Sequence, residues 1–228
     1  MKPDKVTPAQ IEIHDIAGLI KGASEGAGLG NKFLGNIREV SAIIHLVRCF
    51  KDIKVVYSEG DVTNLDPVQE MEDVQTELIL SDLEVTNKKR SKSKHNNDKK
   101  EMEVWEMIYN HLNENEPVRT LDFNPEQWKI VDTLPLITAK PIIFACNIDA
   151  ESYLSEEGNA MAKQFKEYVD EKYNNLKVVN LCSTLESDIS EIRGTDGEEV
   201  AREFMEMTGL EESALDTLLS ECSNLLDL

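Results

Sequence analysis

The amino-acid sequence predicts an α/β fold with a mostly parallel sheet and an inserted α-helical hairpin. Short apolar runs at 42–47 and 142–146 alternate with segments whose apolar residues recur at three- and four-residue spacing. This alternation is typical of buried parallel strands joined by helices. Polar residues follow the predicted strands, where open α/β sheets place their ligand sites. A helical segment with a lysine-rich middle, within 61–116, predicts the hairpin.

The first predicted elements lie within residues 11–50. Isoleucines alternate with polar residues over 11–14 and predict a strand that ends at Asp15. Five glycines between residues 18 and 30 are too many for a helix interior and predict a loop. Asn31 is a suitable N-cap for a short helix. The apolar run at 42–47 predicts a central strand covered on both faces.

The hairpin is predicted from two amphipathic stripes and the polar run that joins them. The apolar positions of the two arms are Val68, Met71, Val74 and Leu78, then Met102, Trp105, Tyr109 and Leu112. Between the arms, residues 88–100 hold seven of the 24 basic residues and no apolar residue. We expect the stripes to form the hairpin core and the basic run to be a mobile tip. The run is either a solvated loop or a contact for RNA.

The C-terminal half continues the α/β pattern. Asn124 is a plausible N-cap with proline at the next position. A buried strand at 142–146, an amphipathic helix at 161–169 and a strand at 177–182 follow, and the chain from 186 onward is acidic and helical.

Composition limits the classes of function. The chain has 228 residues with 40% hydrophobic content, enough for one domain and an appendage. The formal charge of −20 disfavours general nucleic-acid binding, so we expect no DNA partner and only local RNA contact. No apolar run has the length of a membrane span, and the four cysteines lack a Cys-x-x-Cys spacing. A reduced, cytoplasmic protein without a membrane partner is expected.

Candidate chemistry follows the first predicted strand. Residues 15–18 read Asp-Ile-Ala-Gly, an Asp-x-x-Gly pattern. In phosphate-hydrolysing switch proteins, such an Asp helps to hold Mg²⁺, often through water, and the Gly amide approaches the terminal phosphate. The alternative is an ordinary strand and turn. The glycines at 26, 28 and 30 lack the spacing of a dinucleotide-binding turn.

The longer stretch at 15–40, Asp-Ile-Ala-Gly-Leu-Ile-Lys-Gly-Ala-Ser-Glu-Gly-Ala-Gly-Leu-Gly-Asn-Lys-Phe-Leu-Gly-Asn-Ile-Arg-Glu-Val, resembles the YchF family of Obg-like P-loop NTPases. The resemblance extends through His-Leu-Val-Arg-Cys-Phe at 45–50 and is dense again at 117–154. It implies a G domain that binds and hydrolyses ATP, in some cases GTP, with Mg²⁺. It also implies association with ribosomes, through rRNA and ribosomal proteins.

The resemblance implies specific site residues. Catalytic positions are Gly18 and Tyr57, and Asp15 is the Mg²⁺ residue, through water. Nucleotide-binding positions are Asp15, Gly18, Asn147, Ile148, Asp149 and Ser183. Candidate RNA contacts are Lys88, Lys89, Arg90, Lys92 and Lys94. The expected division is a partial G domain at 1–60, the hairpin at 61–116, and the rest of the G domain at 117–228.

Three departures from the family pattern leave two functions open. No Gly-Lys pair exists in the sequence, so we expect the phosphate loop to precede residue 1 and a TGS domain to follow residue 228. Tyr57 stands where the family has a histidine that acts on the attacking water. Ala150 stands where the family has Glu and GTPases have a guanine-reading Asp, which favours ATP or no strong preference between the two nucleotides. The chain is either an NTPase of the YchF type or a non-catalytic interaction module.

Overall fold

The computed structural model describes residues 10–16, 29–51, 65–93, 99–155, 158–173 and 176–228. A short 3-10 helix lies at Val118–Thr120. The other elements of these residues are α1 (Leu29–Glu39), β1 (Ile43–Arg48), α2 (Pro67–Ser93), α3 (Lys99–Asn113), α4 (Pro125–Val131), β2 (Ile142–Asn147), α5 (Ala150–Leu154), α6 (Ala160–Lys172), β3 (Lys177–Leu181), α7 (Ser183–Thr195), α8 (Glu198–Thr208) and α9 (Ala214–Leu225).

A parallel sheet in the order β1-β2-β3 forms the centre of the described fold. Ile43 pairs with Ile142 and Ile143 pairs with Lys177, so all three strands run in the same direction. Phe144 of β2 packs on α6, and Ile143 packs on α9 across the other face. Helices on both faces of a parallel sheet confirm the predicted α/β class. The carboxyl ends of the strands meet along one edge, which positions the candidate site.

The prediction of a strand at 11–15 was wrong. Residues 10–16 pair with no strand of the described sheet. Ile11 packs beside Ile143, Ile16 packs against the cluster of α1 and α2, and Ile13 is 54% exposed. Alternation of side chains favours a strand only where a neighbouring ladder accepts its backbone groups.

Two further local predictions also differ from the structure. β1 pairs with β2 alone among the described strands, and its Leu46 is 58% exposed, whereas Ile142–Cys146 of β2 is buried throughout. β2 is therefore the central strand of the described sheet. Helix α1 already begins at Leu29, so Asn31 lies inside it and does not cap it.

The inserted helical hairpin is confirmed, with a different core from the one predicted. Thr76 contacts Asn115 and Lys89 contacts Glu101, so α2 and α3 run antiparallel. The hairpin core lies at Ile79, Val104, Trp105, Ile108 and Leu112. All four predicted stripe residues of α2 pack elsewhere, and two of them, Met71 and Leu78, are buried.

Those two residues connect the hairpin to the sheet. Met71 joins the sheet cluster with Val47 and Phe144, and Leu78 joins Leu34 and Ile37 of α1. The first half of α2 is thus anchored on the sheet and on α1, and its second half forms the hairpin. The predicted boundaries at residues 60 and 116 stay a prediction.

The described part of the chain contains no helix long and apolar enough to cross a membrane.

Candidate functional site

Asn147, at the carboxyl end of β2, holds the ends of the three strands together. Its side-chain Oδ1 accepts a hydrogen bond from the Ser183 backbone N–H at 3.1 Å. Its carbonyl accepts from the Cys49 N–H at 2.8 Å, and the next amide, of Ile148, donates to Leu181 at 2.9 Å. Because an amide N–H can only donate, Oδ1 faces Ser183 and the Nδ2 donor faces away. The structure therefore brings together the predicted Asn147, Ile148 and Ser183, and the Nδ2 donor of the half-buried Asn147 has no hydrogen-bond partner among the described residues.

Asp149 serves as the N-cap of α5. Its Oδ1 accepts from the Ser152 N–H at 2.8 Å, and its Oδ2 accepts from Asn159 Nδ2 at 3.3 Å. The Ser152 amide is the main reason why the pKa of the Asp149 carboxyl lies below its usual range. The predicted ligand residue is therefore already engaged by two protein donors. Ala150, which follows it, is the first residue of α5 and presents only a methyl group.

Asn159 was not recognised in the sequence. Its side chain is 8% exposed, caps α6 through the Ala162 N–H at 3.0 Å, and holds Asp149. An asparagine directly before a helical pattern is an N-cap signal. The sequence pattern therefore indicates the cap. It does not indicate the hydrogen bond from Asn159 to Asp149, which fixes the loop after β2.

Only one of the predicted phosphate-side residues is described. Asp15 is exposed and lies in irregular backbone, and Gly18 and Tyr57 lie outside the described residues. No cluster of three or more His, Cys, Asp or Glu side chains suited to a metal occurs in the described part. A single exposed carboxylate fits a hydrated Mg²⁺ that takes its other ligands from phosphates and water, since Mg²⁺ commonly uses only one or two carboxylates.

His45, in β1, is a neutral histidine in the packed sheet. Its ring lies 5.6 Å from the Phe144 ring, measured between centroids. Burial, with a smaller contribution from the Arg119 cation, lowers the pKa of His45 to about 4. The packing against Phe144 gives His45 a structural role in the sheet.

The four cysteines are buried free thiols. A hydrogen bond with Cys49, together with burial, raises the pKa of Cys146 at the strand ends. A neutral buried thiol is unreactive, so the cysteines support the packing of this edge.

The basic run has two structurally different parts. Residues 88–93 form the last turns of α2, so the expected tip is helical there, and Lys94 lies outside the described residues. Lys89 and Arg90 face α3, where acids and aromatic rings cover them. Lys88 and Lys92 are exposed. The inner residues of the run therefore face acids of α3, whereas Lys88 and Lys92 face outward.

Comparisons with known proteins agree with this geometry. No family model matches the chain. The ribosome-binding ATPase YchF of Bacillus subtilis is 36% identical over the whole chain, which covers 62% of that protein. The protein of the same name from Escherichia coli O157:H7 is 35% identical, with 61% of its length covered. The solved structure of the Schizosaccharomyces pombe YchF GTPase superposes with a TM-score of 0.77 at 30% identity, covering 92% of this chain and 57% of that one.

A parallel sheet with an asparagine at the carboxyl end of its central strand, interrupted by a helical hairpin, defines a G domain of the Obg-like kind. The comparisons confirm the predicted resemblance to the YchF family along this entire chain. The chain spans about three fifths of the length of the curated relatives it matches.

Proposed function

We propose that this chain provides the switch region and the base-recognition edge of an Obg-like NTPase that binds ATP, or GTP, and hydrolyses the terminal phosphate. The observation that carries the proposal is Asn147, whose Oδ1 is fixed by the Ser183 amide while its Nδ2 donor has no partner among the described residues. A base acceptor at this edge of the sheet is the ligand that such a donor fits. The relatives named ribosome-binding ATPases support the same activity.

The proposed chemistry uses positioning and electrostatics. Asp15 would hold Mg²⁺ through water, and that ion would neutralise charge on the phosphates. By the resemblance to the family, the Gly18 amide would approach the terminal phosphate, and Tyr57 would orient the attacking water through its hydroxyl group. A phenol with an ordinary pKa near ~10 donates or accepts a hydrogen bond at neutral pH and is a poor base.

The loop after β2 favours ATP over GTP. A guanine-reading carboxylate would stand at Ala150, which has none. The neighbouring Asp149 is held by Ser152 and Asn159. Selection for guanine would therefore require this cap to break.

A second function, a non-catalytic interaction module, is favoured by one observation. No Gly-Lys pair occurs in the sequence, so the chain has no phosphate-loop lysine of its own. Such a module would keep the helical hairpin and bind its partner without nucleotide turnover.

We also propose that the chain associates with ribosomes through RNA contacts of the basic run. The names of the relatives support this partner. Phosphate contacts supply most of the sequence-independent affinity for nucleic acid and are weakened by salt.

An NMR titration with Mg-ATP and Mg-GTP separates the two functions. The NTPase proposal expects saturable shifts at Asn147, Ile148 and Ser183, with a dissociation constant of about 1 mM, equivalent to about −4 kcal/mol. The weak value follows from the missing phosphate loop, whose charged hydrogen bonds contribute roughly 1.5–3 kcal/mol each. Asn147→Ala should remove the shifts, and Asn224→Ala, on the exposed side of α9, should not.

Absence of saturable shifts, combined with ribosome co-sedimentation that Asn147→Ala leaves unchanged, supports the interaction module. Micromolar affinity would show that a phosphate loop is not needed for tight binding here.

A further inference from the structure

The two arms of the hairpin are locked together by the inner cations of the basic run. Lys89 Nζ lies 2.7 Å from a Glu101 carboxylate oxygen and 5.9 Å from the centre of the Trp105 ring. The guanidinium carbon of Arg90 lies 3.6 Å from the centre of the Tyr109 ring, and its Nη1 is 3.0 Å from Glu106. Each cation therefore meets one acid and one aromatic face of α3, contacts that are mutually compatible.

The exposure of these side chains separates them from their neighbours. The Lys89 and Arg90 side chains are 29% and 19% exposed, against 69% for Lys88. Lys88 and Lys92 are one helical turn apart, so they share the outward face of α2 with Glu84. At the start of α3, Lys99 is also exposed, and neither it nor Lys92 forms an ion pair with a described residue.

These contacts decide which cations are available to a polyanion. An exposed pair such as Lys88 with Glu84 contributes little, about 0–1 kcal/mol, so a phosphate can replace the acid at small cost. For Lys89 or Arg90 to reach a phosphate, the cation would have to leave both an acid and an aromatic ring of α3. The inner cations therefore contribute to the stability of the hairpin and are poorly available for binding phosphate.

The tip also lacks a free stacking surface among its described residues. Trp105 is fully buried, and Tyr109 lies under Arg90. Base-specific binding of single strands usually needs exposed aromatic rings. The available chemistry is therefore a set of point charges that fits the phosphate backbone of structured RNA.

We propose that Lys88 and Lys92, one turn apart on the outward face of α2, form a surface that binds the phosphate backbone of folded RNA without reading its bases, and that Lys89 and Arg90 are positioning residues that hold this surface in place. The proposal rests on the proposed ribosome association and divides the basic run between two roles.

Two double variants with the same change of charge test the division. Lys88→Gln/Lys92→Gln removes outer cations, and Lys89→Gln/Arg90→Gln removes inner ones. Ribosome co-sedimentation over a salt series should show a log–log slope about 1.4–1.8 smaller for the outer variant, since each lost phosphate contact lowers it by about 0.7–0.9. The inner variant should keep most of the slope, lower the melting temperature, and lose amide protection along α3. The outer variant should have the same melting temperature as the parent chain.

A third variant separates stacking from charge. Arg90→Lys keeps the charge and loses the planar stack on Tyr109. It should show part of the stability loss and none of the slope change.

Equal slopes for the two double variants, with equal melting temperatures, would overturn the division. If the parent chain does not sediment with ribosomes, ribosome association fails, and a short RNA duplex in the same salt series then decides the surface. If the chain does not bind that duplex either, the proposal of an RNA-binding surface is wrong. The melting temperatures of the variants still test the proposed roles of Lys89 and Arg90.

Discussion

His45 shows how one side chain makes folding depend on pH. The ring lies against Phe144, and the pKa of His45 is lowered to about 4 by burial and by the Arg119 cation. Between about pH 4 and pH 6.5 the unfolded chain takes up a proton on this histidine and the folded chain does not. The contribution of this residue to stability therefore falls as the pH is lowered through that window.

Replacing this histidine should flatten the pH dependence. We expect His45→Gln to reduce the loss of unfolding free energy between pH 7 and pH 4 by roughly 1–3 kcal/mol. Urea unfolding of both proteins at several pH values measures this change in unfolding free energy. His14→Gln is the control, because the His14 side chain is 57% exposed. Equal pH profiles for His45→Gln and the parent chain would show that the ring is not excluded from water.

A second residue-scale prediction concerns base preference. Ala150→Asp places a carboxylate where a guanine amide and ring N–H can donate to it, at the first position of α5. We expect the ratio of GTP to ATP affinity to rise about tenfold, the effect of about 1.4 kcal/mol from hydrogen bonds to a charged acceptor. The NMR titration measures it.

Glu151→Gln is the matched comparison for Ala150→Asp. If the parent chain already prefers GTP and Glu151→Gln removes that preference, then Glu151 reads the base and the prediction for Ala150 is wrong.

At the scale of elements, buried Asp82 joins α1, α2 and the segment before β2. One carboxylate oxygen accepts from Arg38 at 3.0 Å and from the Ile137 N–H at 3.1 Å. The other accepts from both the backbone and the hydroxyl group of Thr138, at 2.7 and 2.8 Å. The Asp82 side chain is 0% exposed, so water cannot take its place as the acceptor for the buried Ile137 and Thr138 donors.

Asp82→Asn should therefore be costly. The asparagine side chain would turn its NH₂ group toward hydrogen-bond donors, and Arg38 would lose its charge partner. We therefore expect a loss of about 2–4 kcal/mol in unfolding free energy. Asp66→Asn makes the same chemical change at the exposed start of α2, where the side chain accepts from Val68 and Gln69. Asparagine caps helices as well as aspartate does, so that variant should unfold like the parent. Similar stabilities for both variants in urea would contradict the role given to Asp82.

The elements that the sequence predicted well are those whose signal is local. Ile142–Cys146 is a continuous apolar run and is the buried central strand, and the arms of the hairpin follow from helical periodicity. The alternation at 11–14 has a strand pattern but no described ladder partner. The pairing of Lys89 with Glu101 depends on how two helices face each other, which spacing within one helix does not determine.

The candidate site was predictable in part for the same reason. Asn147 and Ser183 each follow a strand of a parallel sheet, so their meeting at one edge was expected. The engagement of Asp149 by Asn159 was not, because it joins the starts of two helices across a loop.

For the whole molecule, the main electrostatic feature is the uneven distribution of acids. Residues 183–228 hold 13 of the 44 acidic residues and two of the 24 basic ones. These residues form α7 and α8, which pack together, and α9, which packs on β3 and is linked to α7 by the Arg193–Asp216 ion pair. Like charges gathered in a compact state repel one another, and salt screens the repulsion.

Salt should therefore stabilise this protein. We expect the melting temperature to rise by a few degrees between about 0.01 M salt, where the screening length is about 30 Å, and about 1 M, where it is about 3 Å. Surface ion pairs oppose the trend weakly. Thermal unfolding in sodium chloride measures it, and a melting temperature that falls with salt would show that attractive pairs dominate.

The long helix α2 has a mechanical consequence. Its 27 residues extend about 40 Å, without an internal proline or glycine that would let it bend. Met71 fixes α2 to the sheet, and Arg38 of α1 donates a hydrogen bond to Asp82. Asp82 lies halfway from Met71 to the last residue of the helix, Ser93. A shift of about 1 Å at Asp82, pivoting on Met71, becomes about 2 Å at Ser93 because rise per residue is constant along a helix. A displacement that α1, the helix after the glycine-rich segment, imposes on α2 would therefore be about doubled at the end of the hairpin.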